Sequence, residues 1–412
     1  MSSKYDIIII GSGIAGLYSA YTIQKTAPKM RILILEKHKI QYIGGREGND
    51  TFYGTEIVTG AGIGRRKKDV LLIQLMKLLD IPIRESKMIP YYASTIKDRV
   101  DVNRIMDFLR YEYNKQGKPK ITFKEFAKPI LGSKLYTDFL ICVGYTDYEK
   151  SDVYETLYNY GMEDNVSHST IINVPWRQLV LDLYNKIGSS NMNIKFSNNV
   201  THIEKMENSL FTLTTETGKS YSSQKVIIAT TITGIQQLLP DISLYKEIHG
   251  QTFLRLYAKF SKQSIPILNN YIKGYTIVPG PLQKIIPMDS SKGVYMIAYS
   301  DNENAITLKK YLKNTEKNCE FFSRLVEESV GIPINKQLHI IAIKDYYWPV
   351  GTHYYEPLSS YKKREDFMYQ IQHPESGLLV VGEAVSRHQG WSEGALESVK
   401  AVVTRKWLSE TP

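Results

Sequence analysis

Residues 5 to 20 read YDIIIIGSGIAGLYSA. Four isoleucines, Ile7 to Ile10, run into glycines at positions 11, 13 and 16, and the apolar spacing then turns helical. A short unbroken apolar run that leads straight into glycines is a strand buried on both faces, because a half-buried strand would alternate. From Ile14 to Ile23 the pattern sets Leu17, Ala20, Tyr21 and Ile23 toward a sheet. A G-x-G-x-x-G spacing between strand and helix has a physical purpose. Gly11 permits a tight turn, Gly13 lets the backbone approach a pyrophosphate, and Gly16 allows the helix to pack on the strand. The helix start then offers unpaired N–H groups and the positive end of its dipole to an anion. A second buried strand, RILILE, ends at Glu36, twenty residues beyond Gly16, where a carboxylate can accept ribose hydroxyls.

The choice of dinucleotide rests on the residues that follow. Gly44-Gly45-Arg46 comes within ten residues of Glu36, and an arginine beside two glycines can reach phosphates while the backbone passes close. Glu36 would repel a 2′-phosphate, so FAD is expected and NADP is not. The stretch GSGIAG…ILEKHKIQYIGGR resembles the N-terminal fingerprint of the flavin-containing amine oxidase superfamily, which includes monoamine, polyamine and L-amino-acid oxidases. The segment LLVVGEAVSRHQGWSEGALESVKAV, Leu378 to Val402, is similar to that family's closing segment. TGAGIG (Thr59 to Gly64), NNVTHIE (Asn198 to Glu204), KVIIATT (Lys225 to Thr231) and WPVGTHYY (Trp348 to Tyr355) lie between them in the family's order.

The resemblance implies an α/β fold: a Rossmann-like FAD-binding domain of the GR2 type with a second, mixed α+β substrate domain. Fingerprints at both ends and in the middle make the FAD domain discontinuous, at 1–80, 195–235 and 375–412. The substrate domain then comprises a helical insertion, 81–194, and a strand-rich one, 236–374. The helical reading rests on ITFKEFAKPIL, SKLYTDFLICVGY and SDVYETLYNYG. TFLRLYAKF and GVYMIAYS read as strands, with a helix around Ala305 to Val330 and another from Glu393 to Leu408. A chain of 412 residues exceeds what one core supports, which also favours two lobes.

For non-covalent FAD, the candidate contacts are Gly11, Ser12, Gly13, Ile14, Ala15 and Gly16, then Glu36, Lys37, Gly45 and Arg46. By resemblance, Gly60, Ala61, Gly62 and Ile63 approach the flavin ring, and Val200 meets the adenine side through its backbone. Gly382 and Glu383 end a strand where a carboxylate can hold ribityl or ribose hydroxyls. The helix carrying Ala395 would aim its first amides at the flavin pyrimidine, stabilising charge that builds there on reduction.

The reaction implied is hydride transfer from an amine to flavin N5, with dioxygen as acceptor. A desaturase or oxidase acting on a non-amine, and a flavin-binding structural or interaction module, stay open as alternatives. Trp391 and Tyr354 occupy the positions of the family's two aromatic walls, with Trp348 a further lining candidate. Arg255 stands where many members carry a lysine near N5. A guanidinium stays charged and cannot exchange protons as a lysine does. Lys259, four residues on, is the alternative on the same strand. His353 falls where some members bear a covalently attached cysteine, although a hydrogen-bonded structural histidine is the expectation. Arg65 and Arg66 either clamp a substrate carboxylate or form a solvated basic turn, and the register favours the turn.

Composition narrows the partners. A net charge of +10 would suit acidic ligands, but the lysines are scattered and the densest cluster is Arg65-Arg66-Lys67-Lys68, so the excess reads as solubilising surface and nucleic acid is not expected. No apolar run approaches the roughly 18–20 residues of a membrane span. Two cysteines, Cys142 and Cys319, and the lack of CxxC or HExxH pairs lead us to expect a reducing, intracellular, cytoplasmic setting and no structural metal.

Overall fold

The computed structural model describes residues 4–165, 169–188, 191–207 and 209–411. In chain order, the strands of its two main sheets begin with β1 (Lys4–Ile10), β2 (Ile32–Leu35), β3 (Met192–Lys195), β4 (Val200–Lys205), β5 (Phe211–Thr215) and β6 (Ser220–Ile228). They continue with β7 (Ile248–Phe260), β8 (Lys284–Asp289), β9 (Val294–Asp301), β10 (Ile340–Tyr355) and β11 (Leu378–Val380). Four helices bear on the site: α1 (Ile14–Thr26), α2 (Val70–Leu78), α3 (Trp176–Ile187) and α4 (Ser392–Val402).

The first sheet runs β4–β5–β6–β1–β2–β3, and β11 pairs with the far end of β6. Strands β11, β6, β1, β2 and β3 are parallel neighbours, whereas β5 and β4 add an antiparallel edge. Burial explains the isoleucine run. Ile7 and Ile9 pack with Leu17, Ala20 and Ile23 of α1, Leu183 of α3 and Val399 of α4. Ile8 and Ile10 point the other way, into a core with Ile232, Ile235, Phe367 and Ile371. Successive strand side chains alternate faces, so a strand covered on both sides has no polar position. Each fully buried isoleucine contributes about 1.5–3 kcal/mol.

The second sheet is antiparallel in the order β10–β7–β9–β8 and continues into two short strands, Thr276–Ile277 and Tyr91–Tyr92. TFLRLYAKF lies in β7 and GVYMIAYS in β9. The expected helix from Ala305 to Val330 is two helices, Asn302–Lys309 and Glu316–Val330, because Thr315 caps the second by accepting the Asn318 N–H. The expected helix from Glu393 to Leu408 also divides. It ends at Val402, and Thr404 caps a new short helix, Arg405–Ser409.

Helix α3 lies within the 81–194 stretch that spacing assigns to an insertion, yet its Leu179, Val180, Leu183 and Ile187 pack in the core of the first sheet. The 364–372 helix, within the 236–374 stretch, covers that sheet's other face through Phe367 and Ile371. Periodicity identifies an apolar helix face but not the sheet that receives it. Cys142 and Cys319 are both free and buried. Among the described residues, no helix is long and apolar enough to cross a membrane.

Glu393 ties the chain's two ends together. Its carboxylate accepts the N–H groups of Leu71 at 2.7 Å and Leu72 at 2.9 Å, capping α2, which has no side-chain cap of its own. Replacing it by alanine leaves two buried donors without partners. Glu393→Ala is therefore expected to lower the unfolding free energy by about 1–3 kcal/mol. Thermal and urea melts check this, and an unchanged midpoint would contradict the capping role.

Candidate cofactor and active site

The glycine loop sits where β1 ends and α1 begins. Gly16 must lack a side chain, since a Cβ there would lie 2.0 Å from the Gly11 carbonyl oxygen. Glu36, at the end of β2, lies beneath the loop. Its Oε2 accepts both the N–H and the hydroxyl of Ser12 at 2.8 Å, and Oε1 accepts the His38 N–H at 2.8 Å. Three donors on four lone-pair sites leave room for one ribose hydroxyl. Lys37, next in the chain, is exposed. The Asn198 N–H donates to the Glu36 carbonyl, which brings buried Val200 to the same corner.

Helix α1 has no side-chain cap and no acid in its first turn, so the amides of Ile14, Ala15 and Gly16 at its start meet no anion from the protein's own side chains. A Cβ on Gly13 would come no nearer than 4.0 Å to its closest neighbour, Gly44 O, so the approach to this backbone is open. Gly13 and Gly44 form a parallel bridge, which lays the Gly44-Gly45-Arg46 turn against the loop. A glycine cradle, an uncapped helix start, an adjacent arginine and a carboxylate beneath are the donor set that a dinucleotide's pyrophosphate and ribose require. The residues fit FAD.

Glu383 joins this cradle to the rest of the site. Its Oε1 accepts the N–H groups of His353 at 3.0 Å and Gly390 at 2.5 Å, and its Oε2 meets His353 Nδ1 at 2.5 Å and Arg46 at 3.1 Å. Four donors fill the carboxylate's lone-pair sites, so it organises the junction rather than offering a free acceptor to ribityl hydroxyls. Arg46 also donates to the Gly351 carbonyl at 2.6 Å. His353 Nε2 accepts the Ile232 N–H at 3.1 Å, which places the ring proton on Nδ1, facing Glu383. With both ring nitrogens engaged, His353 is structural, as the sequence led us to expect.

The stretch from Val58 to Gly62 is held by its own backbone. Tyr257 donates to Val58 O at 2.5 Å, Trp348 to Thr59 O at 2.7 Å, Arg255 to Gly60 O at 2.6 Å and Trp176 to Gly62 O at 3.3 Å. Ala61 N–H donates to Arg46 O at 2.9 Å. A Cβ on Gly60 would lie 2.1 Å from that same oxygen, so only glycine lets the strands close here. Arg255 is buried, and its guanidinium also covers the Tyr299 ring at 4.0 Å. Lys259 is directed elsewhere: its amine bonds the Lys292 carbonyl and lies 5.8 Å from the Tyr53 ring. Trp348 spends its indole N–H on the loop, a positioning role that its aromatic character did not reveal. Gly382 leads from β11 into the Glu383 junction at φ 124°, and Ala395 is buried in α4 against the first sheet.

Trp391 precedes α4. Its indole N–H donates to Tyr160 O at 3.1 Å, and the Arg65 guanidinium lies 3.8 Å above its ring. The solvated basic turn favoured from the sequence is thus incorrect for Arg65, which is 4% exposed and makes two bonds to Asp69 at 2.7 and 2.8 Å, with Asp164 at 3.4 Å. Its i,i+4 spacing to Asp69 was a readable signal. Arg65 is equally unavailable as a carboxylate clamp, and Arg66 is exposed and paired with Glu85. Tyr354 stacks on His249, ring centres 5.2 Å apart, and lines a cavity of about 30 Å³ together with Gly390 and Tyr160. That cavity links the surroundings of Trp391 to Tyr354. A cleft of about 430 Å³ lies between Lys68, Arg110, Tyr158 and Glu163, and none of the candidate cofactor residues lines it.

Burial alone would raise the Glu383 carboxyl, but the His353 and Arg46 side chains beside it, with the bonds from His353 and Gly390, outweigh it and hold the group at about 2. A folded value below the ordinary 4.5 stabilises the fold above that pH, and the stabilisation disappears as pH falls toward 2. The gap corresponds to about 3 kcal/mol. Acid titrations of stability should show Glu383→Gln losing less than the parent between about pH 5 and pH 2. Parallel curves would contradict the assignment.

Residues 9–64 match the family described as NAD(P)-binding Rossmann-like domain. An uncharacterised protein of Acanthamoeba polyphaga mimivirus is 20% identical over 485 aligned positions, covering 98% of this chain and 94% of that protein. Wild-type putrescine oxidase bound to putrescine is similar in structure, with a TM-score of 0.74 at 11% identity over 98% of this chain and 99% of that one. A candidate protoporphyrinogen oxidase from Exiguobacterium sp. 255-15 gives 0.71 at 15% identity over 100% of both chains. The chain therefore shares, over nearly its whole length, the fold of putrescine oxidase and of that candidate protoporphyrinogen oxidase, and it begins with a segment that matches the NAD(P)-binding Rossmann-like domain.

Proposed function

We propose that the protein is an FAD-dependent oxidoreductase that oxidises a small amine at its C–N bond, with dioxygen as the final acceptor. The observation that carries this reading is the junction at Glu383, where Arg46 from the glycine-loop side meets His353 from β10 and the Gly390 approach to Trp391. One carboxylate thereby couples a phosphate-binding cradle to an aromatic chamber. Bound FAD would accept the hydride and pass electrons to dioxygen.

The chain's own residues bind, orient and exclude water. The α1 amides and Arg46 face the phosphates, Glu36 the ribose, and the Val200 backbone the adenine side. Gly60, Ala61, Gly62 and Ile63 present backbone toward the ring. The first amides of α4 lack a side-chain cap, since its own acid, Glu393, is turned to α2. They stabilise charge on a reduced ring. Trp391 and Tyr354 offer aromatic faces to a substrate bearing or bordering an amine and keep the reacting carbon dry. Arg255 positions Gly60, and its permanent charge gives it no part in proton exchange. That feature favours a second reading, a non-amine substrate on the same cofactor, and the protoporphyrinogen oxidase likeness supports it.

The purified protein is expected to be yellow with a flavin spectrum, and anaerobic mixing with candidate amines should bleach it. Persistent yellow with amines, and bleaching by another reductant class, would favour the second reading. A colourless protein that takes up no added FAD would sink both. Glu36→Ala, which frees the Ser12 donors and removes the ribose acceptor, should weaken FAD retention by about tenfold or more, equivalent to roughly 1.4 kcal/mol. Equilibrium titration with FAD reads the change.

A further inference from the structure

A second polar centre adjoins the cofactor site. Tyr148 is 1% exposed, yet its hydroxyl has no hydrogen-bond partner among the described residues, and the buried Thr352 hydroxyl has none either. Both side chains line the same cavity of about 30 Å³, as do Asp147 and Tyr160. A buried hydroxyl without a partner costs about 1–3 kcal/mol. The volume suits one water molecule, which needs about 10–15 Å³ by this measure and two or more polar neighbours.

Asp147 is the titratable group on that wall. Tyr160 donates to its carboxyl, and Gln251 donates to its backbone carbonyl. Asp301 stands behind it and accepts from the Thr146 N–H at 2.8 Å, the Thr146 hydroxyl at 2.6 Å, the Asp147 N–H at 3.2 Å and Gln283 at 3.0 Å. Lys284, also facing this pair, bonds Gly144 O and lies 2.8 Å from the Tyr145 ring centre. Burial first, and then the Asp301 charge, push the Asp147 carboxyl well above its ordinary range. Across the cavity, Glu155 is paired with Arg364, His353 with Glu383, and Arg387 with Glu365. Glu155 and Arg387 are thus charge-matched, and the neutral His353 ring has both nitrogens bonded.

We infer that this cavity binds a single water molecule, clamped by the Tyr148 and Thr352 hydroxyls, and that Asp147 exchanges a proton with it. The transfer moves one proton and no electrons. An O–H bond of the water breaks as a basic atom of a ligand against Tyr354 takes the proton, and the Asp147 O–H then restores the water, leaving a carboxylate that accepts from Tyr160. The identity of that ligand rests on the proposed amine oxidation. The water and the neutral carboxyl do not.

The test uses the purified full-length protein. A high-resolution crystal structure should show one ordered water within hydrogen-bond distance of both hydroxyls. Infrared spectra at neutral pH should show a carboxylic-acid carbonyl band that shifts in D₂O, converts to carboxylate at alkaline pH and is lost in Asp147→Asn. Thr352→Val removes one clamp and should displace the band's titration midpoint. This variant keeps the inference falsifiable if Asp147→Asn does not fold. A dry cavity, a band that Asp147→Asn leaves in place, or a midpoint unmoved in Thr352→Val would each overturn it. These readouts need neither cofactor nor turnover, so a protein that fails to bind FAD but shows the water and the band would refute the proposed function alone.

Discussion

Everything in the site converges on one buried carboxylate. Glu383 takes hydrogen bonds from Arg46, from the backbone and ring of His353, and from the Gly390 N–H. Those donors come from positions 46, 353 and 390, and the acceptor follows β11, so three separated stretches of chain, around 46, 353 and 383–390, are fixed by a single side chain. A buried charge is tolerated only when its lone pairs are met, and here they all are. The same saturation means that Glu383 acts as a keystone for the junction and fixes Arg46, which also bonds the Gly351 carbonyl.

A second feature follows from that geometry. Val58, Thr59, Gly60 and Gly62 each have their carbonyl bound by a side chain from β7, β10 or α3, and Thr59 and Ala61 have their N–H groups bound by the Gly48 and Arg46 carbonyls. Donors on three elements thus hold a segment that is itself not regular structure in its middle. Pre-set backbone of this kind costs nothing to reorganise when a planar ring lies against it. Arg255 belongs to this scaffold. Its bond to Gly60 and its position over Tyr299 explain why a guanidinium, with a planar fork and a stacking face, occupies a place where a lysine's single ammonium could do neither as well.

At Trp391, the Arg65 guanidinium covers one face of the ring and is itself neutralised by Asp69 and Asp164. The tryptophan is therefore held by a cation stack and by its bond to Tyr160, and only its remaining surface is available to a ligand. Behind Tyr354 the walls become acidic and hydroxylic, with Asp147, Tyr148 and Tyr160 close together. The chamber thus grades from aromatic to proton-bearing over a few residues.

The sequence by itself determined the strand–glycine–helix start, the strand buried on both faces and the acidic residue after the second strand. These are local or periodic features: an unbroken Ile7–Ile10 run demands two covered faces, and Gly11 to Gly16 mark where the backbone must be bare. Tertiary structure alone decided the partners. That Arg65 is buried over Trp391, that Trp348 and Tyr257 hold the loop, that α3 packs on the first sheet and that Asp147, Tyr148 and Thr352 line one cavity all depend on contacts across tens to hundreds of residues. Residue type and spacing show what a side chain can bond, but only the packed chain decides which of many equivalent tyrosines, tryptophans and arginines comes within reach.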